Sequence, residues 1–180
     1  MRVVAGEFKG RRLRAPRGMR TRPTADRVRE ALFSMLGDVS GAQVLDLYAG
    51  TGALGIEALS RGAGSALFVE RDARAAAAIE DNLRSLGLDQ PVRRTDALRF
   101  LARGEGAFDL VFCDPPYDSV PRIAGPLAER LPVLLARGAR IVTESDKRSP
   151  LELPFRLLAE RTYGDTRIAI HAGPDLDPRA

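Results

Sequence analysis

Apolar residues in this chain fall into short solid runs separated by stripes of helical spacing. Val28, Ala31, Leu32, Met35 and Leu36 form one such stripe, which predicts an amphipathic helix over 25–36. Thr24 suits its N-cap and Gly37 its stop. Three runs, 43–47, 66–70 and 108–112, have the length and composition of buried parallel strands. Pro91–Thr95 reads as a third strand between the last two of these, and Gly138–Ser145 as a fifth. Helical stretches lie between them: from the glycine-rich turn at 50–52 to about Arg61, Asp72–Leu86 ending at Gly87, and Ala97–Ala102. Asp118–Pro121 is a place where a helix can start. Ile123–Ala136 reads as a helix with Pro126 in its first turn and Pro132 as a kink or break. The segments 155–163 and 166–171 alternate around Gly164-Asp165 and predict a hairpin.

Five strands alternating with helices, followed by a hairpin, predict an α/β fold. The sheet is doubly wound and mostly parallel, seven-stranded and Rossmann-like, with an antiparallel edge. The expected organisation is a basic β arm over 1–22, one α/β domain over 23–172 and a frayed tail over 173–180.

The 180 residues carry 44% apolar and 29% charged side chains, an ordinary globular balance. No apolar run is long enough for a membrane span, and the start lacks the apolar core of a signal peptide. Cys113 and His171 are the sole cysteine and histidine, which excludes disulfides within the chain and Cys/His zinc clusters and fits a reducing cytoplasm. No metal site is expected, and Cys113 is expected to pack as a small hydrophobe.

Charge changes the picture more. Residues 1–30 hold ten Arg or Lys against three acids, a net +7, while the rest of the chain sums to −3. A basic arm on a mildly acidic body points to a polyanion, most simply nucleic acid. Arg27 and Arg29, on the polar face of the first helix, are read as lying close to the arm's charges.

Two turns carry the candidate chemistry. Gly50, Gly52 and Gly55 have G-x-G-x-x-G spacing between a strand and a helix, which suits a nucleotide-like ligand. Asp46, four residues before the first glycine, would repel a pyrophosphate but tolerate an ammonium or sulfonium cation. Glu70 ends the second strand, well placed for a ribose diol, and Asp96-Ala97 follow the third, where an acid and an amide can meet an adenine edge. The second turn is Asp114-Pro115-Pro116-Tyr117, at the carboxyl end of the fourth strand. Consecutive prolines fix φ and lack amide hydrogens, so the Asp114 carboxylate and the Pro115 carbonyl form two fixed acceptors beside an aromatic ring. Two acceptors and a ring suit a planar group bearing an exocyclic NH2.

Asp46 to Gly55, Glu70, Asp96-Ala97 and Asp114–Tyr117 resemble the successive motifs of class I S-adenosylmethionine-dependent methyltransferases, in the variety that modifies exocyclic amines. Arg2–Gly6, Gly10–Leu13, Arg22–Phe33 and Gly52–Arg61 resemble the RsmD family more narrowly. That resemblance implies methylation of the N2 amine of one guanine in bacterial 16S rRNA, free or within the small subunit. It assigns Asp114, Pro115 and Tyr117 to the reacting amine. Asp46, Tyr48, Ala49, Gly50, Thr51, Gly52, Glu70, Arg71, Asp96, Ala97 and Asp114 go to S-adenosylmethionine. The RNA would meet Lys9, Arg11, Arg12, Arg22, Thr24 and Arg27, with Tyr163 as a further stacking surface. A monomer is the default expectation. The competing readings are a DNA adenine methyltransferase, an NAD-dependent oxidoreductase, which Asp46 disfavours, and an RNA-binding assembly factor without turnover.

Overall fold

The structure, a computed structural model, describes residues 1–16 and 26–174, with Tyr117 described through its backbone. Helix α1 spans Asp26–Leu36 and strand β1 Gln43–Leu47; then come α2 (Ala53–Ser60), β2 (Ser65–Glu70), α3 (Ala73–Leu86), β3 (Val92–Arg94), α4 (Ala97–Leu101) and β4 (Phe108–Cys113). A 3-10 turn over Tyr117–Ser119 leads into α5 (Val120–Arg130), and a second over Leu131–Leu134 into β5 (Leu135–Asp146). Strands β6 (Leu157–Tyr163) and β7 (Thr166–Ala172) complete the chain. Thr24, read as the cap of α1, and residues 175–180 of the tail lie outside the described residues.

Among the described residues the sheet has seven strands in the order β3-β2-β1-β4-β5-β7-β6. The first five run parallel; β7 is antiparallel to β5 and to β6. The solid apolar runs are solid because both faces are covered: Val44, Leu45, Leu47, Leu110, Val111 and Phe112 are fully buried. Val44, Phe112 and Val142 pack with Phe33 of α1, Ile56 of α2 and Ile79 of α3. Leu45, Val111 and Ile141 pack with Phe100 of α4 and Leu127 of α5. Side chains two apart share a sheet face, so Asp46 projects to the α1–α3 side with Val44, and Glu144 with Val142.

The helix read over 123–136 needs correction. It begins at Val120, with Pro121 in the first turn, where a missing N–H costs nothing. Pro126 sits inside the helix, not in its first turn. Pro132 converts the chain to 3-10 geometry, and β5 has already started at Leu135. The stripe misled because Leu131 and Leu134 are buried at helical spacing although a 3-10 turn presents them. The early part of β5 meets β4 through an irregular register, Phe108 opposite Leu135 but Leu110 opposite Arg140; Gly138 absorbs it at φ 78°.

The basic arm is a docked hairpin as far as it is described. Val3 N–H donates to the Arg11 carbonyl (2.9 Å), Leu13 N–H to the Met1 carbonyl (3.1 Å), and Arg2 bridges Arg12. Val3 and Leu13 are buried in the α1–α3 core. The anchor is Glu57 of α2, which has no exposure. Its carboxylate accepts from Val4 N–H (2.7 Å) and Ala5 N–H (3.0 Å) and pairs with Arg61 (2.9 Å) and Arg29 (3.7 Å). Arg29 is therefore not on the polar surface of α1. It is fully buried, paired with Asp26 (3.0 Å) and donating to the Arg2 carbonyl at 2.5 Å. A buried guanidinium is tolerated only with such partners.

Candidate active site

At the carboxyl ends of β1, β2, β4 and β5 lies a cavity of about 700 Å³. Its floor is the turn after β1, and its shape follows from three glycines with separate jobs. Gly50 lines the cavity. Gly52 opens α2 from the left-handed region at φ 76°, where a Cβ would press on Ile79 and Phe68 at 3.2 and 3.3 Å. Gly55 lets α2 lie on the sheet, since a Cβ there would stand 2.4 Å from the Phe68 ring.

Each acid holds part of this frame. Asp46 Oδ2 accepts from Gly55 N–H at 2.9 Å. The residue is 2% exposed, and that burial pushes its carboxyl up to about 8 despite the Gly55 hydrogen bond, with nearby Glu70 adding to the rise. Glu70 accepts from Gly50 N–H (2.9 Å) and Asp72 N–H (2.7 Å), tying the glycine turn to the end of β2. Tyr48 adopts φ 58°, the one positive value outside glycine among the described residues, a conformation typical of functional sites. Its hydroxyl is buried without a hydrogen-bond partner, and burial raises the phenol well above its ordinary value.

Of the residues singled out in the sequence, Asp46, Tyr48, Ala49, Gly50 and Thr51 line the cavity, as do Glu70, Arg71, Ala97, Asp114 and Pro115. Gly52 and Asp96 do not. Gly52 faces the core, and Asp96 caps α4, accepting from Arg99 N–H at 3.1 Å; Thr95 and Ala97 flank the cavity in its place. Asp114 is half-buried, Pro115 buried and Pro116 exposed. Their turn is closed by Ser119, whose N–H and hydroxyl donate to the Pro116 carbonyl at 2.9 and 2.5 Å. The Tyr117 ring, Arg22 and Thr24 lie outside what is described.

Among the basic candidates, Lys9, Arg12 and Arg27 are exposed. Arg11 is exposed too, but its guanidinium donates to the Ser85 carbonyl at 2.5 Å. Tyr163 packs half-buried against the α1–α3 core, at the same end of the sheet as the cavity. Cys113 and His171 do not form a pair. Cys113 stands opposite Thr143 and His171 opposite Ile141, on strands separated by β5. Both are buried, and burial raises the thiol and lowers the imidazole. Among the described residues no cluster suited to a metal is found, and no helix is long and apolar enough to cross a membrane.

Several cavity residues are not marked as such by the sequence. Met1, Arg29 and Glu144 all line it. Asn82 on α3 works behind it, donating to the Thr51 and Arg14 carbonyls at 3.1 and 3.0 Å and so joining the glycine turn to the arm.

Sheet order, glycine turn and the Asp-Pro-Pro turn at adjoining strand ends together define a class I methyltransferase. A family model described as Conserved hypothetical protein 95 matches residues 1–172. The chain belongs to this family, the RsmD family of class I methyltransferases. YlbH of Bacillus subtilis is 41% identical over 95% of this chain and 98% of its own length. A Haemophilus influenzae protein named Ribosomal RNA small subunit methyltransferase D is 36% identical over 91% of this chain and 89% of its own. The solved structure of yhhF from Escherichia coli superposes with a TM-score of 0.84 at 33% identity, covering 96% and 97% of the two chains.

The site suits S-adenosylmethionine, the methyl donor of this class. A buried carboxyl that is largely protonated when alone would ionise beside the α-ammonium group that S-adenosylmethionine and S-adenosylhomocysteine share. Binding should therefore release a proton, and affinity should rise with pH up to about 8, by at most about tenfold per unit. The check is calorimetry of S-adenosylhomocysteine from about pH 6 to 8 on wild type and Asp46→Asn. The ratio of the two affinities cancels the ligand's own titration, and a ratio independent of pH contradicts the expectation.

Proposed function

We propose that this chain transfers a methyl group from S-adenosylmethionine to the exocyclic N2 amine of one guanine in 16S rRNA. The observation that carries the reading is the Asp114-Pro115 turn. It sets a half-buried carboxylate and a proline carbonyl on the wall of the same cavity as Asp46 and Glu70. The name of the Haemophilus influenzae relative supports ribosomal RNA as substrate.

S-adenosylmethionine, when bound, supplies a sulfonium methyl open to in-line displacement. Asp46 and the turn 48–52 would hold its methionine end. Glu70, with Arg71 beside it, would take the ribose hydroxyls. Thr95 and Ala97 would enclose the adenine, with Asp96 fixing them as the cap of α4. Asp114 and the Pro115 carbonyl would accept the two N2 hydrogens, so the nitrogen lone pair points away from both. Orientation supplies much of the rate. The Asp114 carboxylate also lies where positive charge grows on nitrogen and would stabilise it; S-adenosylhomocysteine leaves, and the methylated nitrogen would shed one of its two protons through Asp114. Tyr117 would stack on the base. A guanine in a helix must leave its stack, costing a few kcal/mol. Lys9, Arg12 and Arg27, with Arg22 and Thr24 of the same segment and Tyr163 at the rim, would offset that cost by binding RNA. Arg11 serves better as a tie to α3. The enzyme would act as a monomer in the cytoplasm.

The test is transfer of tritium from labelled S-adenosylmethionine into small-subunit rRNA, free and assembled with ribosomal proteins. Label in one of the two is expected, and the better substrate fixes the stage of assembly. No label in either, with S-adenosylhomocysteine still binding, would overturn the rRNA reading.

A further inference from the structure

Glu144, at the carboxyl end of β5, is 5% exposed and lines the cavity together with Asp114 and Pro115. Thr143 stands opposite Cys113 in the β4–β5 ladder. Glu144 and Asp114 are therefore the next residues along neighbouring strands, whose spacing is about 4.8 Å. Glu144 projects to the α1–α3 side, as Asp46 does from β1, while Thr143 and Ser145 project to the other. Three carboxyl-bearing residues thus stand at the ends of the adjacent strands β1, β4 and β5. Asp46 meets the glycine turn and Asp114 the reacting amine, which leaves Glu144 next in line along the edge of the base.

Guanine presents three neighbouring hydrogens, two on N2 and one on the adjacent N1, of which the N1 hydrogen and one N2 hydrogen lie on its Watson–Crick edge. Asp114 and the Pro115 carbonyl, just beyond β4, would use those of N2, which would set the N1 hydrogen beside them on the side of the neighbouring strand β5. Resting on the guanine-N2 reading, we infer that Glu144 accepts the N1 hydrogen of the target base and so selects guanine. A purine with a bare N1 turns a lone pair toward the carboxylate and is rejected by repulsion as well as by the lost bond. Glu144 is a specificity-determining residue beside the reacting centre.

The experiment uses small-subunit rRNA ligated from a synthetic segment carrying guanine, 2-aminopurine or N1-methylguanine at the methylated position. 2-Aminopurine keeps the N2 amine but has a bare N1. Wild type should favour guanine over it, and Glu144→Gln should shrink that preference on the order of 10- to 100-fold, the worth of a hydrogen bond to a charged group. The amide can donate to the bare N1, whereas the carboxylate cannot. A change that only loosened the site would slow both substrates together. An unchanged ratio of the two rates, with S-adenosylhomocysteine binding intact, overturns the inference. Wild type should not methylate N1-methylguanine, whose methyl occupies the place of the shared hydrogen; normal transfer to it overturns the inference without any variant. A methyl recovered on an atom other than N2 in unmodified RNA overturns the guanine-N2 reading itself, and is told apart because it is seen in the wild-type product.

Discussion

Replacing Asp114 with alanine is expected to slow methyl transfer on the order of 10²- to 10³-fold, the usual cost of deleting one preorganised electrostatic partner of a transition state. Asp114 stands just beyond β4, on a turn held by its own prolines and by Ser119, so the fold should survive the change. RNA binding, supplied by the arm, should survive as well. Asn separates two contributions of the carboxylate: it keeps one acceptor for an N2 hydrogen but carries no charge against the positive nitrogen. Asp114→Asn should therefore fall between wild type and Asp114→Ala in single-turnover rate. Equal rates for Asn and wild type would remove the charge from the mechanism. Equal rates for Ala and wild type would remove Asp114 from it altogether.

The second large effect concerns the hold of the arm on the body. Glu57→Ala strips the buried Arg29 of one partner and leaves the Val4 and Ala5 amides without theirs. Breaking a buried pair in this way costs about 3–5 kcal/mol. For a domain of this size that corresponds to a fall of about 6–20 °C in Tm. Asp26 and the Arg2 carbonyl still hold the guanidinium, which places the expectation toward the lower end of that range. Glu57→Gln keeps an acceptor for one of the two amides and should lose less. Thermal unfolding followed by circular dichroism reads both. A Glu57→Ala shift under about 2 °C, less than about 1 kcal/mol, would mean that Val3, Leu13 and the ties to Asn82 and Ser85 hold the arm without Glu57. The arm also bears the proposed RNA contacts, so Glu57→Ala should weaken rRNA binding beyond its effect on stability.

The strands of the sheet centre were legible because burial on both faces leaves runs such as Val44-Leu45 and Leu110-Val111-Phe112, which carry their own signature. The glycine turn was legible as well, since a turn that bends and packs this tightly has few residue choices, and so was the Asp-Pro-Pro turn. Three features were not. Arg29 and Glu144 each look like ordinary polar positions of a helix or strand end, and only the pairing of β4 with β5 and the seat of α1 on the sheet bring them into the cavity. Asp96 does cap α4, as an acid after a strand can do as readily as it faces a ligand. The length of α5 was misjudged because periodicity in a short window does not distinguish an α-helix from a 3-10 turn that buries the same leucines.

The acceptors at the end of β4 are proposed to present an exocyclic amine, and specifically guanine N2. Digestion of rRNA methylated by the wild-type protein, followed by mass spectrometry of the nucleosides, tests it most directly. The expected product is N2-methylguanosine at a single position. N6-methyladenosine would keep the chemistry of the Asp-Pro-Pro turn and contradict the choice of base, and a methyl on carbon or on a ribose oxygen would contradict the role of Asp114 and the Pro115 carbonyl.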